Sequence, residues 1–141
     1  MSALRERMAR LGRELGEREG AHRAELEEAR RRAAALRVQV GEALQAFREA
    51  VLAAGAPQLE VRLGELRPDD KHVRAVEFDL SRGRHRAIVT VKSRGEVTLV
   101  GPFHAGKTEG PCKTFPFAAE AELEKALGDF LERFLADAAT P

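Results

Sequence analysis

No proline precedes Pro57, and the stretch it closes is dominated by Ala, Arg, Glu and Leu. These residues give up least on entering a helix. A chain that begins this way has to place a helix of roughly 50 residues, about 75–80 Å long at ~1.5 Å per residue, before anything else is decided. Ser2 is positioned to cap its start, and Gly55 followed by Pro57 to stop it. Acid-before-base pairs at (i, i+4) spacing, Glu6–Arg10, Glu14–Arg18, Glu27–Arg31 and Glu28–Arg32, add local support.

The apolar positions of this run fall into two blocks. Leu4, Met8, Leu11 and Leu15 step by 4, 3 and 4, and Leu26, Ala29, Ala33, Leu36, Val40, Ala43 and Phe47 alternate steps of 3 and 4. Both blocks follow the 3.5-residue period of a heptad seam. Glu19 and His22 bridge them with an inserted step of 4, a stutter, and Gly12, Gly16 and Gly20 lie in the same region. The sequence therefore predicts a long amphipathic, coiled-coil helix over residues 1–55 with a possible break near 12–20. The glycine spacing matches that of paired membrane helices, but those need an apolar setting and "LGRELGEREG" is charged.

From Gln58 the apolar period changes to two. Leu59, Val61 and Leu63 alternate in a strand at 59–66; Val76, Phe78 and Leu80 in one at 72–80; Ala87, Val89 and Val91 in one at 84–92; Val97, Leu99 and Phe103 in one at 96–103, with Gly101 in register. "RPDD" and two "SRG" triplets supply the intervening turns. Short connections between alternating strands predict a four-stranded antiparallel meander. Residues 104–116, with two glycines and two prolines, read as a loop. Over 118–138 the helical period returns, and Leu123, Leu127, Phe130, Leu131, Phe134 and Leu135 form one broad face suited to cover the sheet. The expected class is α+β: a long helix over 1–55, then a small α+β domain over 56–141. This order resembles, in outline and without a shared motif, that of small dimeric nucleoid-associated proteins. The resemblance implies a dimer that binds nucleic acid.

Several function classes find little support. Basic and acidic residues number 24 and 23, so no global field draws nucleic acid or membranes. No apolar run approaches the ~18 residues of a membrane span, and the N-terminus has no signal-peptide core. Cys112 is the only cysteine, which excludes an intrachain disulfide and points to a reducing, cytoplasmic setting.

"GPFHAGKT" (101–108) fits the G-x-x-x-x-G-K-[ST] pattern of phosphate-binding loops. That chemistry needs a helix beginning at the Lys-Thr end, whose backbone N–H groups cradle the phosphates. Here "TEGPCKTFP" follows, and Gly110, Pro111 and Pro116 do not continue a helix. Cys112 with His104 is a candidate nucleophile and base, with Lys107 and Lys113 nearby, but no third orienting group stands out. His22, His72, His85 and His104 show no metal-ligand spacing. No catalytic, cofactor-binding or metal-binding residue is therefore assigned, and no cofactor is expected.

Two surfaces remain. "SRGRHRAIVTVKSRG" carries Arg82, Arg84, Arg86, Lys92 and Arg94, a candidate patch for phosphates or an acidic partner, with Arg84, Arg86 and Lys92 expected on one strand face. The second is the seam of the long helix, represented by Leu26, Ala29, Ala33, Leu36, Val40 and Phe47. A helix of that length outreaches a domain of this size, so part of its stripe needs a second copy, a partner helix or its own N-terminal third folded back. The expected protein is a non-enzymatic, self-associating interaction or scaffold protein assembled through this helix. Nucleic-acid binding through paired basic hairpins, and nucleotide binding at 101–108, are the alternatives.

Overall fold

The structure, a computed structural model, describes residues 2–68, 74–106 and 110–140. It is the expected α+β arrangement: a long N-terminal helix, an antiparallel sheet and a C-terminal helix. Asp69, Asp70, His72, Lys107 and Thr108, which figured in the sequence reading, lie outside the described residues.

Helix α1 spans Ser2–Ala53, 52 residues without interruption, and passes through Gly12, Gly16 and Gly20 as regular helix. Its end follows the predicted signal. Gly55 takes φ 74°, the Gly55 N–H donates to Leu52 O at 3.1 Å and the Ala56 N–H to Val51 O at 2.8 Å. This paired closure satisfies the last free carbonyls, and it needs a residue that tolerates positive φ. Of the four (i, i+4) pairs expected along α1, Glu28–Arg32 closes, at 3.4 Å, and Glu28 also takes Arg31. The other three do not reach ion-pair distance, consistent with the small net gain of exposed pairs.

The sheet has strands β1 (Arg62–Leu63), β2 (Arg67–Pro68), β3 (Ala75–Arg82), β4 (His85–Lys92), β5 (Glu96–His104) and β6 (Cys112–Pro116), all paired antiparallel. The order is β1-β3-β4-β5-β6, with β2 sharing the β3 edge. Helix α2 (Glu120–Ala138) follows, and Glu120 and Glu122 in its first turn complement the positive end of the helix dipole. The two "SRG" triplets make different turns. Gly83 (φ 57°) opens a two-residue hairpin between Arg82 and His85, whereas Gly95 (φ 96°) closes a three-residue one between Lys92 and Glu96.

Three features differ from the four-strand expectation. First, 59–66 is not one strand. Leu63 pairs with Leu80 but Arg67 with Glu77, a slip of one residue at Gly64–Leu66. The slip turns Leu66 to the core beside Leu63, and its trace in the sequence is the step of three between those leucines. Second, "CKTFP", read as loop, is edge strand β6. Prolines are tolerated there because an edge strand needs ladder hydrogen bonds on one side only. Third, Phe103 does not continue the core face of β5. Ala87 lies opposite both Gly101 and Pro102, a bulge that brings Phe103 opposite Arg86.

That bulge depends on Gly101, which has φ 112° and is buried. A Cβ there would lie 3.0 Å from Arg86 O and 3.1 Å from the Ala87 Cα. Gly101→Ala is expected to destabilise the fold by about 1–3 kcal/mol, from positive φ and backbone crowding together, as read by urea denaturation.

Both helices cover the same face of the sheet. Val76, Phe78, Leu80, Ala87, Val89, Val91, Val97 and Leu99 are buried in one cluster with Ala29, Ala33, Val40 and Leu44 of α1 and Leu127, Phe130, Leu131, Phe134 and Ala138 of α2. Arg32 stacks over the Phe117 ring at 4.3 Å, and Arg37 Nε donates to Gly64 O at 2.8 Å. These contacts anchor α1 across the sheet.

Candidate functional site

The seam of α1 divides at His22. Leu26, Leu36 and Phe47 are half-buried and Ala29, Ala33 and Val40 are buried, and all of them except Phe47 pack into the core built on the sheet of the same chain. These five seam residues, expected to face a second copy, are thus engaged within the chain. One position moves: Leu44, not Ala43, is buried. A straight helix on a sheet keeps its 3.6-residue period and drifts about 20° per heptad away from a 3.5 seam, which selects Leu44.

N-terminal to this block, residues 2–21 are exposed throughout. Leu4, Met8, Leu11 and Leu15 retain 54%, 52%, 45% and 45% of their accessible surface, and no described element of the chain covers them. A Cβ added at Gly12, Gly16 or Gly20 would meet nothing within 4 Å. Among the described residues no contact accounts for these glycines, and each costs a helix about 1 kcal/mol relative to alanine. Residues 2–21 thus form an arm of about 30 Å with a bare apolar stripe and weak intrinsic helicity.

The basic hairpin does not converge on one surface. Arg82 Nε donates to Gln58 O at 2.8 Å and its Nη1 to Ala138 O, so this guanidinium closes the C-terminal end of α2. Arg86 Nη1 donates to Gly83 O at 2.6 Å and to His85 O at 3.1 Å, bracing the turn. Arg94 pairs with Glu96. Arg84 lies in the β3–β4 turn and not on the strand face of Arg86 and Lys92; among the described residues it has no ion-pair partner. Lys92 stands at the other end of β4, roughly 20 Å from Arg86 at ~3.3 Å per residue.

Residues 101–104 of the "GPFHAGKT" segment belong to strand β5, and the chain re-enters the sheet as β6, so among the described residues no helix N-terminus follows the segment. Cys112 is exposed and pairs with Val100, whereas His104 lies four residues farther along β5 and faces His85, with ring centroids 4.9 Å apart. The intended nucleophile and base are therefore roughly 13 Å apart along the strand. Among the described residues no group of three or more His, Cys, Asp or Glu is placed to hold a metal ion, and no helix is long and apolar enough to cross a membrane.

The sequence reading missed one cluster. Glu77 and Asp79, two apart on the outer face of β3, both take Arg67, with Oε1 and Oδ1 each 3.1 Å from its nitrogens. Partial burial opposes the Arg67 charge, but the hydrogen bond to Asp79 and the two carboxylates outweigh it and raise the guanidinium pKa. The cluster ties β2 to the sheet, and Gly64 leaves room for Asp79, since a Cβ there would lie 1.9 Å from Oδ1. The signal available was Glu-x-Asp at strand period. Glu28 is also perturbed: its hydrogen bond from Arg31, with the Arg31 and Arg32 charges, holds its carboxyl below the ordinary range. Between α2 and β5–β6 lies a 380 Å³ groove floored by Leu99, Phe115, Ala126 and Phe130.

Comparison of this chain with protein-family models, with curated proteins and with solved structures found no match.

Proposed function

We propose that this protein is a non-enzymatic, self-associating interaction protein, in which residues 22–140 form a head and residues 2–21 an assembly arm. The observation that carries the reading is the bare stripe of Leu4, Met8, Leu11 and Leu15 on a helix whose remaining seam is used up by its own sheet. An amphipathic helix gains most of its stability by burying its apolar face, and three glycines make this one more dependent on doing so. The dispersal of the basic hairpin leaves the arm as the surface with the clearest unmet need. An exposed single cysteine suits a reducing, cytoplasmic location.

The test is solution mass against concentration, by light scattering, for the natural chain and for one with all four stripe residues replaced by serine. A dimer or larger species for the first and a monomer for the second is the expected result. A natural chain that stays monomeric at hundreds of micromolar ends this reading.

A further inference from the structure

The arm carries charges beside its stripe, and they discriminate between the two ways of pairing it. Leu4 and Leu11 occupy the d positions of a heptad and Met8 and Leu15 the a positions. Arg7 and Glu14 then take the g positions, and Arg5, Gly12 and Glu19 the e positions. Residues at e and g flank the seam and set partner and orientation.

In a parallel, in-register pair each g residue meets the e residue five positions on in the other copy. Arg7 then meets Gly12, and Glu14 meets Glu19, a like-charge contact made twice by symmetry. In an antiparallel pair Leu4 packs on Leu15 and Met8 on Leu11, and g meets g. Arg7 of each copy then faces Glu14 of the other, an opposite-charge contact made twice. On the other flank Arg5 faces Gly12, where the missing side chain leaves room for the long arginine. Among the described residues neither Arg7 nor Glu14 has an ion-pair partner within the chain, although His22 takes Glu19 at 3.7 Å and Glu28 takes Arg31 and Arg32. Both are available for contacts between copies.

We infer that two copies of this chain pair antiparallel through residues 4–15, with reciprocal Arg7–Glu14 contacts, and carry their heads at opposite ends of the paired arms. The inference rests on the self-association proposed above and adds the orientation. The two-fold axis crosses the pair between residues 9 and 10. Ala21 of one copy then lies about 35 Å from Ala21 of the other along the helix axis, against about 10 Å in a parallel pair.

Two measurements on the full chain test it. In a Cys112→Ser, Ala21→Cys background, spin labels at residue 21 are expected near 35 Å; a distribution centred near 10–15 Å overturns the antiparallel pairing while leaving self-association standing. Independently, Glu14→Arg is expected to weaken the dimer about tenfold, because two attractions become two repulsions, and Arg7→Glu in addition is expected to restore it. In a parallel pair Glu14→Arg relieves the clash with Glu19 and tightens the dimer instead, so that result also overturns the inference. A dimer that persists unchanged when the stripe leucines are replaced by serine places assembly elsewhere on the head and removes the inference together with the arm's role. Circular dichroism of each variant confirms that the helix is retained.

Discussion

Phe78→Ala is expected to lower the stability of this protein by about 3–5 kcal/mol, enough to unfold a large fraction of a marginal domain at physiological temperature. Phe78 lies at the centre of β3, pairs with Val89 and has no accessible surface. Its ring stands on the face that meets both helices, in one cluster with Val40 and Phe134. Truncation removes the transfer energy of the ring and leaves a cavity that a sheet held on its other side by β4 collapses into poorly. The transition should stay cooperative and include the second half of α1, because residues 26–47 have no other surface to bury against. Urea unfolding followed by far-ultraviolet circular dichroism measures the shift in midpoint. Loss of helix signal from the arm alone, with the sheet intact, contradicts the single-core description.

How far the sequence specified this core depends on which rule each segment obeys. In β3, β4 and the first part of β5 a period of two runs without interruption, and Val76, Phe78, Leu80, Ala87, Val89, Val91, Val97 and Leu99 all reach the interior as read. The readings failed where the chain slips by one residue, at Gly64 and at Gly101, since one extra residue transfers everything beyond it to the opposite face. Both slips sit at glycines, and the second is followed by proline, so the punctuation was visible even though its effect on Phe103 was not. Strand β6 was hidden by Pro111 and Pro116, which mark loops in most settings but are compatible with an outer edge. Charge positions fared worst. Arg82 is engaged by the carbonyls of Gln58 and Ala138, distant contacts that no local spacing encodes, whereas Arg86 and Arg94 are taken by near neighbours, the Gly83 and His85 carbonyls and the Glu96 carboxylate.

Val40→Asp and Leu11→Asp should behave as opposites, although the two positions belong to the same kind of 3–4 pattern. Val40 has no accessible surface and faces the sheet, so a carboxylate there loses its hydration and finds no partner among the apolar side chains of the core. The expected outcome is a loss on the order of 4–5 kcal/mol, or failure to fold. Leu11 keeps 45% of its surface exposed and touches no described part of the head. Aspartate there should leave the stability of the head within about 0.5 kcal/mol of the natural chain, while placing charge in the stripe through which the arms are proposed to pair. Thermal melts at low concentration report the first effect and light scattering the second. The contrast arises because a heptad pattern states only that one stripe of a helix will be covered. Whether a sheet or another helix covers it is decided by reach. The head extends along α1 as far as His22, the residue where the stutter falls, and beyond that point no described part of the chain covers the stripe. If Leu11→Asp destabilises the head as strongly as Val40→Asp, the arm folds back onto the head in solution, and the division of the seam at His22 is wrong.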